Sequence, residues 1–370
     1  MKNTYLNSII LIALVLSVLS ADLYAGNDQR AGSNGASELL INPWARSSGW
    51  GDANVACVVG LEGMYQNIAG MAFTRKTEMV FTNTQWLSGA GIVINSGGFA
   101  TKVGETGVLG LSVMNMNFGK IDITTADLPE GGIGTFNPTF STIALGYARE
   151  FSNSIYGGIS VKMISENISN VTSSGFAIDA GIQYVTGVGK DKAGNRNRDN
   201  LHFGITMKNV GTTMKFSGDG MSFTGFSANG TSMTIEHRSQ EFELPSLIKI
   251  GFSYSFRLAP KVDAVSETVT SDHNLLIAAN FTSNSFSKDQ YHIGLEYGFK
   301  QMVFLRGGYI YEAGITTADT RTTAFTGPTA GLSLQVPVNK ENKSVLAIDY
   351  SYRLTNPFGG VHTFGARVTL

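Results

Sequence analysis

Apolar and polar residues alternate one for one along most of this chain. In Leu201-His202-Phe203-Gly204-Ile205-Thr206-Met207-Lys208 every odd position is apolar and every even one is polar or glycine. The same period runs through 248–256, 291–298 and 346–354. Alternation sustained this long marks a strand with one apolar and one polar face. Runs bounded by turn residues predict fourteen strands, at 79–87, 90–102, 107–121, 139–151, 154–167, 171–186, 200–210, 244–257, 273–284, 289–300, 302–313, 324–338, 344–355 and 361–370. Connections as short as Ser88-Gly89, Ser152-Asn153 and Lys300-Gln301 require antiparallel neighbours. No stretch after residue 79 has a helical period, so the chain reads as all-β.

The two faces differ in a telling way. The polar face is mostly Gly, Ser, Ala, Asn and Gln, with too few charges for a sheet that faces water. The apolar face carries aromatics near strand ends (Tyr291, Tyr297, Tyr309, Tyr311, Tyr350 and Tyr352), positions suited to a girdle at a lipid interface. The final run alternates Phe364, Ala366, Val368 and Leu370 to the last residue, as the terminal strand of an outer-membrane barrel does. The pattern therefore predicts a transmembrane antiparallel β-barrel of about 14 strands, with outer-membrane lipid as its outer partner. With both barrel ends in the periplasm, the odd-to-even connections face outward and should be long. The 122–138, 211–243 and 314–323 segments obey this, whereas 187–198 and 257–272 do not. Either the count slips there or those loops have periplasmic work. Gly146, Gly157, Gly158, Gly181, Gly204, Gly251, Gly294 and Gly307 fall inside strands. They cost stability there unless a bend, or a segment packed on the inner face, uses them.

Composition narrows the class. The chain has 370 residues, 27 basic and 28 acidic, and only 15% of it is charged, against about 25% in soluble domains. Its aromatic and β-branched content excludes disorder. A helical membrane protein is excluded because no run beyond the N-terminus approaches the roughly 18 apolar residues of a spanning helix. A net charge of −1 argues against nucleic acid as a partner. Leu6–Leu19 behind Lys2 has the length of a signal peptide, with cleavage after Ala25 or Ala21. Cys57 is the sole cysteine and has small apolar neighbours, so neither a disulfide nor a nucleophile is expected.

A different texture precedes the barrel. Ala45-Arg46-Ser47-Ser48-Gly49-Trp50-Gly51-Asp52-Ala53-Asn54-Val55-Ala56 is followed by Tyr65-Gln66-Asn67-Ile68-Ala69-Gly70-Met71-Ala72. This order resembles the PorV/PorQ family of Bacteroidetes outer-membrane proteins and is similar, more distantly, to FadL-type fatty-acid channels. The likeness is close over 45–72 and one of pattern elsewhere; Ile68 stands where the family usually has proline. It implies a hatch folded into the lumen, built on Ala45, Arg46, Gly49, Gly51, Ala53, Ala56, Tyr65, Asn67, Ala69, Gly70 and Ala72. The chain then divides into a signal peptide (1–25), a hatch or plug segment (26–78) and a barrel (79–370). The resemblance also implies a non-enzymatic accessory or cargo-carrier role in type IX secretion. Its partners would be the translocon channel and/or the C-terminal signal domains of secreted cargo. The alternative is a FadL-like channel for hydrophobic small molecules. The residues themselves agree with a hatch: small ones let a chain pack closely, and Arg46 and Asn67 can satisfy buried backbone groups.

No motif calls for a cofactor, a metal or catalysis. Gly131-Gly132-Ile133-Gly134 precedes no helix, and Gly187-Val188-Gly189-Lys190-Asp191 lacks the first glycine and the Ser/Thr of a phosphate loop. The five histidines never fall at i, i+3 or i, i+4 spacing. His202 and His292 are expected to face the lumen singly. Asp179, Glu296, Arg306 and Asp349 are also expected to point inward, as a charge network that anchors the hatch or as the lining of a wet interior. The 122–138 and 211–243 loops are candidate partner sites. In the second, Met221, Phe223 and Phe226 either insert into a partner or cap the barrel mouth.

Overall fold

The computed structural model describes residues 30, 32–190, 194–262, 269–339 and 344–370. The stretch 1–25 that the sequence reads as a signal peptide, with both cleavage points, lies outside the described residues. Fourteen antiparallel strands close into a barrel. They are β1 Thr77–Trp86, β2 Ile92–Val103, β3 Gly107–Asn117, β4 Thr139–Ser152, β5 Ile155–Ile168, β6 Val171–Thr186, β7 Leu201–Gly211, β8 Leu247–Leu258, β9 His273–Asn284, β10 Gln290–Phe299, β11 Val303–Glu312, β12 Phe325–Asn339, β13 Ser344–Thr355 and β14 Val361–Thr369. Each pairs with its neighbours in sequence, and β1 closes on β14 with Phe81 opposite Ala366.

Most predicted bounds are met to within two residues, and two strands begin or end further away, for local reasons. The 107–121 run stops at Asn117, whose side chain accepts from the Gly119 N–H at 2.8 Å, and Gly119 turns the chain at φ 78°. Ile121–Asp122 then pairs with Thr135–Phe136 in a ribbon outside the barrel. The 244–257 run begins only at Leu247, because Pro245 has no N–H for the ladder. The count does not slip at the two anomalous connections. Both lie at the rim that carries the barrel's ends, and both are built structures. Lys190 bridges Arg196, Lys261–Val262 pairs with Val269–Thr270, and Arg257 joins the two loops by gripping Asp199 at 2.7 and 2.9 Å.

The outer face is apolar and uncovered. Phe81, Ile182, Ile205, Ile293 and Ile348 each leave more than half their surface open, on strands where alternate residues are buried. Such a face is stable against lipid and costly against water. Aromatic groups gather at both ends of one wall sector: Phe281, Tyr291 and Tyr311 toward the long loops, and His273, Tyr297 and Phe299 toward the opposite rim. Among the described residues no helix is long and apolar enough to cross a membrane.

The bore is filled by the segment that precedes β1. It comprises short helical turns at Ser37–Leu40, Ala45–Ser48, Gly60–Glu62, Gly63–Gln66 and Ile68–Phe73, none longer than six residues. It starts at the long-loop rim, where Gly35 N–H donates to the Glu243 carbonyl, and descends to β1 at the other rim. The inner wall meets it through glycine. Gly49 lies on Gly331, where a methyl group on Gly49 would come 2.9 Å from the Gly331 Cα. Gly294 faces the Trp50 carbonyl at 2.7 Å from the same hypothetical methyl, and Gly204 faces that of Val55 at 2.6 Å. Gly308 presses on the Trp50 carbonyl as well. These wall positions are cross-strand neighbours: Gly204 pairs with Gly251, and Gly294 with Gly308. Gly157 and Gly307 do not share this role; Gly157 sits beside Phe151, and Gly307 faces open space.

Gly308→Val should therefore unseat the segment at a cost of about 1–3 kcal/mol, while Gly307→Ala should change stability by less than about 1 kcal/mol. The temperature at which the folded band converts to the unfolded one on a gel measures both. Protease cleavage within 36–73 should increase only for Gly308→Val.

Candidate functional site

The site is the interface between this segment and the inner wall. Near the rim with the barrel's ends, the Ala45–Ser48 turn places Arg46 over the Val59 carbonyl, to which its guanidinium donates at 2.5 Å. Arg46 Nε is 3.4 Å from Glu62, and Glu62 accepts from both the Ser47 N–H (3.1 Å) and the Ser47 hydroxyl (2.5 Å). From the wall, Glu78 accepts the Leu61 N–H at 2.9 Å. Three of the predicted inward charges meet beside this knot. Arg306 donates to Glu296 at 2.6 Å and to the Ser333 hydroxyl at 2.5 Å, and Ser333 donates to Asp349, beside which lies Arg367. Glu62, Glu78, Asp349 and Glu296 are the carboxylates whose field Arg46 feels. These groups thus form one anchoring network.

Higher in the bore, Asn67 staples two turns of the segment to the wall. Its Nδ2 donates to the Val55 carbonyl at 3.0 Å and the Ile182 carbonyl at 3.1 Å, while its Oδ1 accepts the Ala69 N–H. Gln183 adds bonds to the carbonyls of Val55 and Val58. His292 donates through Nδ1 to the Gly51 carbonyl at 2.7 Å. Gly51 sits at φ 68°, a left-handed conformation that glycine adopts without strain. Ala45, Ala53, Ala56 and Ala69 are all buried, and Gly70 passes under the Val58 carbonyl. Ala72 and Tyr65 pack against the apolar cluster around Leu61, Met64 and Ile68.

The remaining predicted residues lie apart. Asp179 pairs with Lys162 at 2.5 Å, away from the Arg306 network. His202 has the inward parity, opposite Ser253, but lies half-buried near the rim, where its ring bonds the Asp199 carbonyl. Met221, Phe223 and Phe226 stand on or beside a projecting hairpin, Ser222–Phe226 paired with Ser232–Glu236. Phe223 stacks on His237 and Phe226 is three-quarters exposed.

Sequence reasoning missed a second cationic group. Lys208 is fully buried with its ammonium 3.4 Å from the centre of the Tyr65 ring, and Lys249 donates to Gln66 at 2.9 Å. A bulge opposite Asp179 turns both Lys208 and Asn209 inward, with Asn209 at φ 59° and its N–H bonded to Asp179. The signal was present: Lys249 shares the polar face with Gly251 and Ser253, and two consecutive polar residues, Lys208-Asn209, break the alternation.

Little space is left. A cavity of about 40 Å³ lies between segment and wall, lined by Leu39, Pro43, Trp44, Met64, Met114 and Ala144, with Glu38, Tyr65 and Lys162 at its polar side. That holds a water or two, whereas an engineered cavity that admits benzene is roughly 150 Å³. Among the described residues no three His, Cys, Asp or Glu side chains are placed to hold a metal ion.

A closed 14-strand transmembrane barrel with an occupied lumen is the class that this geometry defines. Among solved structures the fold is similar to the Pseudomonas putida toluene transporter TodX, at TM-score 0.54 and 10% identity, covering 89% of this chain and 97% of that one. It is similar as well to the Ralstonia pickettii toluene transporter TbuX, at TM-score 0.50 and 12% identity over the same shares. A deltaS2 mutant of the TodX monoaromatic hydrocarbon channel gives 0.52 and 11%, again over these shares. No protein-family model and no curated protein matches the sequence. These neighbours are described as hydrocarbon channels and toluene transporters, and none of them is described as part of type IX secretion.

Glu62→Ala removes the acceptor of Ser47 and the nearest counter-charge of the partly buried Arg46. It should cost about 3–5 kcal/mol. Amide exchange at residues 46–48 should accelerate, while exchange in the strands remains slow.

Proposed function

We propose that the chain is an outer-membrane channel of the FadL type that passes hydrophobic small molecules across the envelope of a Gram-negative cell, with its lumenal segment as the gate. The observation that carries this reading is that the bore is stopped by a separate piece of chain and not by its own wall. The segment is seated by hydrogen bonds and close contacts, which can be broken without opening the barrel, and it borders an apolar pocket at the long-loop side. The toluene transporters that share the fold support the choice of a hydrophobic cargo. The cavity of about 40 Å³ beside the segment is too small for a molecule such as toluene, so passage there requires the segment to move.

A lock tests this directly. A methyl group on Gly365 would lie 3.4 Å from the Ala45 Cβ, near the separation that a disulfide spans. In a Cys57→Ser background, Ala45→Cys with Gly365→Cys should abolish uptake of a hydrophobic dye or toluene into proteoliposomes when oxidised, and reductant should restore it. Equal uptake in both states would remove the gate.

A second reading, a cargo carrier in type IX secretion, is favoured by the projecting hairpin, whose Phe223, Phe226, Met233 and Ile235 are all exposed beyond the barrel. On that reading Phe223→Ser with Phe226→Ser should abolish co-purification of a secreted protein's C-terminal signal domain and leave uptake unchanged. Undiminished co-purification would exclude the hairpin as the cargo contact.

A further inference from the structure

The outer end of the lumenal segment is held by more than the barrel wall. The long connection 211–243, between β7 and β8, folds back over it. The two arms of this connection are joined at Met214 and Phe242, each of whose N–H groups donates to the other's carbonyl at 2.9 Å. Its outgoing arm is tied to the wall, where Thr172 of β6 and Ser217 exchange bonds of 2.8 and 2.9 Å. Its returning arm is tied to the segment. Asn34 lies parallel to Glu243, the Gly35 N–H donates to the Glu243 carbonyl at 3.1 Å, and Arg30 pairs with the Glu243 carboxylate at 2.5 Å. Main-chain bonds thus run from wall to arm, from arm to arm, and from arm to segment. Side chains follow the same path. The Phe242 ring lies so close on Gly35 that a methyl group there would overlap it, and Phe216 packs beside that ring with 5.6 Å between ring centres. Met214 and Leu244 join Ala36 and Leu39 of the segment and Ile164 and Ala177 of the wall in one apolar cluster. Surface connections are ordinarily the least stable parts of a fold because they bury little. This one buries Met214 to 1% exposure at its base and leaves only its far hairpin open.

We propose that the base of the 211–243 connection is a strap that keeps the outer end of the lumenal segment seated, so that this end comes free only when the strap lifts. Moving the returning arm breaks the Gly35 and Arg30 contacts together and opens the apolar cluster beneath them. The deeper seat has partners of its own, Asn67 on the Ile182 carbonyl and Glu62 on Ser47, and stays in place when the outer end lifts. The exposed hairpin is the far end of the same strap, so a contact made outside the barrel and closure of the bore are linked. That consequence rests on the channel reading. The strap itself does not.

The test reads exposure of the segment at two depths, with no transport involved. In the Cys57→Ser background of the purified full chain, Leu39→Cys reports the outer end and Met71→Cys the inner one. Both native side chains are buried, and Ile41→Cys replaces the outer reporter should Leu39→Cys not fold. Each is labelled with a charged methanethiosulfonate. Gly35 is not in the left-handed region, so a side chain there meets the Phe242 ring first. Gly35→Val should therefore raise labelling at the outer reporter at least about tenfold and leave the inner one protected. Gly35→Ala gives a milder push should valine prevent folding. Phe242→Ala makes room for the new side chain, so the double variant should label more slowly than Gly35→Val alone. Three results would overturn the strap: unchanged labelling at the outer reporter in folded Gly35→Val, equal acceleration at both depths, or a double variant that labels at least as fast as Gly35→Val. On the channel reading, Gly35→Val should also raise uptake of a hydrophobic dye into proteoliposomes. Faster labelling with unchanged uptake would remove the channel reading and leave the strap standing.

Discussion

Contact between the backbone of the lumenal segment and the glycines of the wall is the constraint on which the rest of this structure depends. A barrel of about eight strands fills its interior with its own side chains, and one of 16–18 leaves an open water-filled channel. Fourteen strands enclose more than side chains can fill. A second piece of chain must occupy the bore, and it fits only where Gly204, Gly294, Gly308 and Gly331 let main chain approach main chain. Because the segment has no helix longer than six residues, many of its carbonyls and N–H groups lack internal partners. Asn67, Gln183, His292, Thr329 and Glu78 exist on the interface to supply them.

Charge follows from the same constraint. An ion in this interior must be matched, and the matching is done locally, in sets. Arg46, Arg306 and Arg367 balance Glu62, Glu78, Glu296 and Asp349 near the rim with the barrel's ends. Lys162 and Asp179 form a compact pair higher up, tied together through Asn209. Lys208 has no hydrogen-bond partner among the described residues and rests on the face of Tyr65, where the ring's quadrupole replaces a counter-ion. Few charges are needed overall, because lipid takes the outer face and the segment takes the inner one.

Two bodies held together by hydrogen bonds and contacts can separate at far lower cost than a sheet can open. Closure of β1 onto β14 leaves the barrel without edges.

The strands were legible in the sequence because a membrane barrel imposes a strict period of two and short turns, both of which are local properties. Lipid-facing positions such as Ile293 and Ile348, and inward ones such as Asp349 and Arg306, follow from parity alone. Local pattern also carried the unusual smallness of 45–72. Parity does not say which inward residues meet. Glu296 and Arg306 come together because their strands are hairpin neighbours in register, but Asp179 goes to Lys162 through a bulge that breaks the alternation. His202 has the inward parity and yet lies at the rim, since its height along the strand is set by the barrel's stagger. Glu38 comes beside Glu166, 128 positions further along the chain. By itself the sequence determined the strands, their faces and their number, each of which depends on neighbours a few residues away. Tertiary structure alone decided the route of the segment through the bore and the partners of every buried charge, because those depend on barrel closure and register.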